Sequence, residues 1–298
     1  MSELKLESKI TMDGLFVTKI LTFPLTLVTL HCFRGIRIWN PVNLEWKIFK
    51  FDEDLADILQ LKDGICACIF KNGKVVLWDV YLEKAILILE GHTDRVTSII
   101  DIPGGYITTS EDETLKLWKG NECFRSIEAD STFNCVLLLQ DSFIAGTSDG
   151  DLQVFDMKGN LQIQLPDHRY AVIYLKLLPH AQLLSQDYRG EIRIWNIQTW
   201  KYTKLLDHFY TNIKECSNFP ACIKDLPDEF IQEIRNDKVL HNIGKFLIAL
   251  DKDIPICIII DTESKKIIYQ NVPHRCSNIM GNKLIIGDPN NLCIYTLL

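Results

Sequence analysis

Although the chain has ten cysteines in 298 residues, none forms a Cys-x-x-Cys pair. Cys216-x5-Cys222 and His274-Arg-Cys276 match neither a zinc-ribbon nor a zinc-finger spacing, so no metal site is expected. Most of the cysteines lie inside apolar runs such as Ile65-Cys66-Ala67-Cys68-Ile69. Reduced thiols there act as small hydrophobes, which points to a reducing compartment, cytoplasmic or nuclear. There is no long basic run either. The densest clusters are Arg34-Gly-Ile-Arg37 and Lys265-Lys266, and the net charge is −7. Binding to nucleic acid through counterion release is therefore not expected. The longest apolar stretch near the start, residues 20–33, is broken by Pro24, several threonines and His31, too short and interrupted to span a bilayer. The first residues carry acids and lack the apolar core of a secretory signal. No G-x-x-x-x-G-K-[ST] run occurs, and Gly104-Gly105 reads as a hairpin turn, so no nucleotide or other small-molecule cofactor is expected.

What the chain does have is a rhythm. Trp39-Asn40, Trp78-Asp79, Trp118-Lys119, Phe155-Asp156 and Trp195-Asn196 each end a short alternating run, and the aromatics stand 39, 40, 37 and 40 residues apart. Period-two alternation is clearest in Glu191-Ile-Arg-Ile-Trp195, a half-buried strand. A period near forty with this ending resembles the WD-repeat family, in which each repeat makes one four-stranded blade of a β-propeller. Repeat two predicts strands at about 55–61, 65–71, 74–80 and 84–89. Its turns Lys62-Asp-Gly64 and Lys71-Asn-Gly73 supply residues that tolerate positive φ. Repeats three, four and five follow the same plan, and repeat one runs from about Leu15 to Phe51.

Later repeats lose the aromatic dipeptide but keep the spacing. Residues 246–250, 255–260 and 266–270 read as strands of a sixth blade, and 283–287 and 292–295 as strands of a seventh. The seventh then lacks its outer strand, while residues 4–10 are a strand-like run left over at the start. An unpaired edge is an aggregation hazard. The expectation is therefore all-β: a single seven-bladed WD-repeat β-propeller over 1–298, its ring closed by the N-terminal strand pairing with the C-terminal blade. Between Trp195 and Ile260 the pitch stretches to 65 residues. The excess falls at about 209–236 and contains a short helix-like run, Asp225–Arg235, with an apolar stripe of Phe230, Ile231 and Ile234. That stripe either docks a partner or packs on the blades.

Two sets of residues look like a site. His92, Ser110 (or Thr108), Asp112 and Trp118 form one, and His168, Ser185, Asp187 and Trp195 the other. They resemble the hydrogen-bonded structural tetrad of WD repeats, which the family links within a blade. A Ser-His-Asp set also resembles nucleophilic machinery. A catalytic set is needed once, whereas these recur at the structural pitch, so no catalytic residue is expected. The aliphatic inner strands, such as Val96–Ile102, likewise disfavour a propeller hydrolase.

Gly91-His-Thr93, Thr108–Asp112, Leu115–Lys119 and Gly146–Gly150 resemble two blades of phospholipase-activating protein, a family of ubiquitin-binding adaptors. Leu226-Pro-Asp-Glu229 is similar to the opening of an F-box, without its remaining helices. The expected role is a non-catalytic protein-interaction scaffold or adaptor, with one or more proteins as partners. The alternative is a ubiquitin-pathway adaptor that reads ubiquitin or receives substrates for a ligase. The candidate contact residues are Arg95, Phe133, Arg169, Tyr170, Phe209 and Tyr210 in the turns, with Phe230, Ile231 and Ile234 in the insertion.

Overall fold

The computed structural model describes residues 4–11, 17–31, 35–166, 168–178, 180–206, 238–243, 246–251, 256–261, 266–271, 276–280, 283–287 and 291–297. Every regular element among them is a β-strand, and each strand belongs to a four-stranded antiparallel sheet. No helix among the described residues is long and apolar enough to cross a membrane. The chain divides into two compact units, residues 53–209 and residues 1–52 with 210–298.

The unit of residues 53–209 holds four sheets in strict chain order. Sheet 2 is β6 (Leu55–Gln60), β7 (Ile65–Phe70), β8 (Val75–Asp79) and β9 (Lys84–Leu89). Sheet 3 is β10 (Val96–Ile102), β11 (Gly105–Ser110), β12 (Thr114–Lys119) and β13 (Glu122–Glu128). Sheet 4 is β14 (Phe133–Leu138), β15 (Ser142–Thr147), β16 (Leu152–Asp156) and β17 (Leu161–Leu165). Sheet 5 is β18 (Val172–Leu178), β19 (Gln182–Asp187), β20 (Ile192–Asn196) and β21 (Lys201–Leu206). Burial explains the sequence pattern of each strand. The second strand is covered on both faces, so β7 is apolar throughout, Ile-Cys-Ala-Cys-Ile-Phe. The fourth strand is mostly in water, as in β13, Glu-Cys-Phe-Arg-Ser-Ile-Glu.

In sheets 3, 4 and 5 the aromatic that ends the third strand packs against the sheet before it, whereas Trp78 of sheet 2 is only half-buried. Trp118 joins Ala67, Ile69 and Leu77 of sheet 2. Phe155 joins Ile107, Leu115 and Leu117 of sheet 3, and Trp195 joins Ile144, Leu152 and Val154 of sheet 4. The near-forty-residue pitch is thus the distance along the chain from one inter-sheet wedge to the next. Each wedge side chain is at most 2% exposed.

In the other unit, sheet 1 is β2 (Val17–Phe23), β3 (Thr26–His31), β4 (Gly35–Trp39) and β5 (Trp46–Lys50), and sheet 6 is β22 (Lys238–Ile243), β23 (Phe246–Asp251), β24 (Ile256–Asp261) and β25 (Lys266–Asn271). Sheet 7 is built from both ends of the sequence: β1 (Leu4–Thr11) pairs with β28 (Asn291–Leu297), followed by β27 (Lys283–Gly287) and β26 (Cys276–Met280). The register runs from Leu4 opposite Leu297 to Thr11 opposite Asn291. The leftover N-terminal strand therefore completes the last sheet, as its sequence leads one to expect. Trp39 is the wedge here, packed with Val17, Ile20, Leu27, Ile285 and Leu292, with Ile10 of β1 against the same cluster. The insertion at 209–236, with Phe209, Tyr210, Phe230, Ile231 and Ile234, lies outside the described residues.

Candidate functional site

In sheet 3 the buried polar set is a continuous chain of hydrogen bonds. Trp118 Nε1–H donates to Thr108 Oγ1 at 2.7 Å, and Thr108 Oγ1 lies 2.7 Å from His92 Nε2. His92 Nδ1 lies 2.8 Å from Asp112 Oδ2. The protons follow from the partners. Asp112 is ionised and can only accept, so Nδ1 carries the hydrogen. A neutral imidazole then accepts at Nε2, from the Thr108 hydroxyl. Burial lowers the His92 pKa below its ordinary value, more than Asp112 raises it, which keeps the ring neutral. Burial also opposes ionisation of Asp112, but hydrogen bonds from Thr114, the Thr93 N–H and His92 win and hold its carboxyl down to about 2.

Thr108, not Ser110, is the hydroxyl in this chain. The register explains the choice. Thr108 sits opposite Lys116, two residues before Trp118, where the indole reaches it. Ser110 sits at the end of β11 and has another task. Its Oγ donates toward the Asp94 and Arg95 carbonyls, at 2.9 and 3.1 Å, and accepts from the Asp112 N–H. It ties the turn after β11 to the loop before β10.

Sheet 5 repeats the inner half of the set and loosens the outer half. Trp195 Nε1–H donates to Ser185 Oγ at 2.7 Å, and Ser185 Oγ is 2.6 Å from His168 Nε2. His168 Nδ1 stands 3.7 Å from Asp187 Oδ2 and 3.9 Å from Glu191 Oε1, beyond hydrogen-bond range. Asp187 uses its other oxygen to accept from the N–H groups of Arg189 and Glu191, both at 2.9 Å, which fixes the turn after β19.

Sheet 1 carries a third set that the sequence reading did not name. Trp39 Nε1–H donates to Thr29 Oγ1 at 2.7 Å, and Thr29 Oγ1 is 2.6 Å from His31 Nε2. Here the histidine comes from the second strand itself. A usable signal was present: the hydroxyl stands ten residues before the tryptophan in all three sets. Counting back ten from Phe155 reaches Ala145 in sheet 4. The indole N–H and its acceptor are absent together there, which leaves no buried polar group stranded. Phe155 instead stacks on Phe143 with ring centroids 5.2 Å apart.

This geometry does not suit a nucleophile. Thr108 and Ser185 are 0% exposed, and each hydroxyl already serves an indole and an imidazole. Among the described residues, no group of three or more His, Cys, Asp or Glu side chains is placed to hold a metal ion.

The candidate contact residues fare differently. Arg95 is about half exposed, and its guanidinium is paired with Glu111, which raises its pKa. Phe133 is a correction: it is 0% exposed, packed in the core at a ring-centroid distance of 6.3 Å from Phe155. It is the first residue of β14 rather than part of a loop, and it corresponds to the buried residues Leu55, Val96 and Val172 that open the first strands of sheets 2, 3 and 5. Arg169 is exposed and Tyr170 half-buried, and they share one corner with Tyr188 and Arg189, which the sequence reading passed over. Phe209, Tyr210, Phe230, Ile231 and Ile234 belong to the undescribed segment.

With this geometry established, comparison with known proteins adds the following. Residues 83–119 match the family model described as WD domain, G-beta repeat. WD repeat and SOCS box-containing protein 1 of Danio rerio is 39% identical over 80 residues, which are 26% of this chain and 17% of that protein. Ubiquitin homeostasis protein lub1 of Schizosaccharomyces pombe is 30% identical over 120 residues, 39% of this chain and 16% of that protein. The match thus spans less than a fifth of either relative's length. Among solved structures, the WD40 beta propeller domain of Doa1 superposes with a TM-score of 0.67 over 98% of this chain and 97% of that one, at 13% identity, a likeness of fold.

Proposed function

We propose that this chain, a WD-repeat protein with the fold of a WD40 β-propeller, is a non-catalytic adaptor that holds protein partners at the turns of its sheets. One observation carries the reading. The polar sets that look like catalytic machinery are buried and repeated in three sheets, each hydroxyl serving an indole and an imidazole, while the loop after His92 is exposed. In sheet 3, His92 and Asp112 fasten the loop that presents Thr93, Asp94 and Arg95. Asp112 accepts from Thr93 N–H at 2.9 Å, so the buried end of the set sets the course of the exposed loop. The partners are proteins, and neither a cofactor nor a metal enters the role.

Ubiquitin handling is the finer assignment. One relative favours it by name, the ubiquitin homeostasis protein lub1. The resemblance of residues 91–150 to an adaptor family of that kind points the same way. Titrating isotope-labelled ubiquitin with the full chain tests it by NMR. Saturable shifts are expected, and they should be lost when Thr93, Asp94 and Arg95 are replaced by Gly-Ser-Gly. No shift at millimolar chain would remove the ubiquitin assignment and leave the adaptor role to other partners.

A further inference from the structure

The fourth strand of sheet 2, β9, reads Lys-Ala-Ile-Leu-Ile-Leu and is followed by Glu90. It pairs with β8 on one side and forms the edge of its sheet on the other. Its apolar run of five residues, 85–89, is unmatched at the corresponding edge of the other sheets, where the longest such run is three. Lys47 breaks the run in β5, Arg125 in β13, Gln162 in β17 and Lys204 in β21. Polar interruptions of that kind keep an edge from pairing with another chain, and β9 has none.

Two of the five residues are taken up inside the unit. Leu89 is buried in the cluster around Trp118, and Leu87 packs against it. Ile86 and Ile88 are left 43% and 44% exposed, and the turn into the strand adds the exposed Tyr81 and Leu82. An apolar strip along a sheet edge marks an interaction site.

The symmetry of the stretch identifies what covers it. Residues 84–90 read Lys-Ala-Ile-Leu-Ile-Leu-Glu. Reversal about Leu87 exchanges Ile86 with Ile88, Ala85 with Leu89, and Lys84 with Glu90. Two copies laid antiparallel about a two-fold axis at Leu87 therefore bring Ile86 of each opposite Ile88 of the other, and Lys84 of each opposite Glu90 of the other. The charges are accessible. Lys84 is exposed, and Glu90, its side chain 69% exposed, stands 3.8 Å from a Lys74 ammonium that Glu53 holds at 2.7 Å. An in-register parallel pairing would instead set lysine against lysine and glutamate against glutamate.

We propose that β9 is the contact through which two copies of this chain associate, edge to edge and antiparallel, in a closed two-fold dimer. The register with β8 skips Ile86, a bulge that limits the backbone ladder two such edges can share. The contact is therefore carried mainly by the isoleucines and by the two Lys84–Glu90 pairs. So narrow a strip lies at the low end of interface sizes, and the dimer is reversible, with a Kd on the order of 10–100 µM. Closure about the two-fold leaves no free β9 edge, which stops association at two. Each dimer presents the loop at Thr93–Arg95 twice, so a partner with two binding segments is held more tightly than by one copy.

The inference goes beyond the adaptor reading and is tested apart from it. Sedimentation velocity of the full chain, from about tenfold below that Kd range to about tenfold above it, should show a monomer–dimer equilibrium. Ile88→Lys should weaken the dimer by about tenfold or more, with an unchanged melting curve at low concentration. Lys84→Glu should weaken it several-fold, and adding Glu90→Lys to Lys84→Glu should restore it, because the exchange keeps opposite charges across the axis. A chain that stays monomeric throughout, a dimer indifferent to Ile88→Lys, or a double exchange that recovers nothing would each overturn the proposal. Association that continues beyond two would do the same. None of these outcomes bears on binding at the Thr93–Arg95 loop, so the adaptor reading stands or falls by its own titration.

Discussion

Trp118→Ala and Trp195→Ala are each expected to lose about 3–5 kcal/mol of stability, a large share of the roughly 5–15 kcal/mol of an ordinary domain. Each removes two supports at once. The indole is the wedge between consecutive sheets, 1% exposed at Trp118 and 0% at Trp195. Its N–H is also the donor that begins the buried chain through Thr108 or Ser185. Truncation therefore opens a cavity against the preceding sheet and leaves the Thr108 or Ser185 hydroxyl with only the imidazole as partner. Chemical denaturation followed by tryptophan fluorescence and circular dichroism measures the loss. A midpoint within error of wild type for either variant would contradict the wedge assignment. Sheet 4 shows how the position tolerates change: Phe155 keeps the wedge, and Ala145 removes the acceptor along with the donor.

Deleting residues 1–11 should be comparably damaging. The deletion strips β28 of the strand it pairs with over seven register positions and takes Ile10 from the cluster around Trp39. At about 1 kcal/mol net per backbone hydrogen bond, the loss is on the order of 5 kcal/mol. It also leaves an exposed strand edge, so the truncated chain should aggregate on warming. A synthetic peptide of residues 4–11 added in trans should raise the melting temperature again. An unchanged melting curve for the truncated chain would show that the pairing of β1 with β28 contributes nothing.

The third strands of sheets 1 to 5 were the most legible part of the sequence, because each carries one large aromatic near its end, at a near-constant pitch. The role of residues 4–10 was legible from strand counting. The first strands of sheets 6 and 7, Lys238–Ile243 and Cys276–Met280, were not, since they are short, partly polar and lack a nearby aromatic marker. The hydroxyl in sheet 3 stayed open between Thr108 and Ser110 because the two share a face of β11, and the cross-strand register and the ten-residue spacing to Trp118 single out Thr108. Phe133 was misplaced because its position before a polar asparagine looks like a loop. In sheets 1 to 5 the first strand carries a register shift just after its opening residue. That bulge hides the buried opening residue from a simple alternation count.

The reading that the buried hydroxyl–imidazole sets hold turns rather than act on a substrate is tested most directly by Thr108→Val and Ser185→Ala. Either change leaves an indole N–H and a histidine nitrogen without a buried partner, so each should cost about 1–3 kcal/mol. Ser110→Ala, outside the set, should cost less than Thr108→Val. The account predicts lower melting temperatures for Thr108→Val and Ser185→Ala with protein-partner binding retained wherever the chain stays folded. An unchanged melting temperature together with loss of a hydrolytic activity present in the wild type would contradict it.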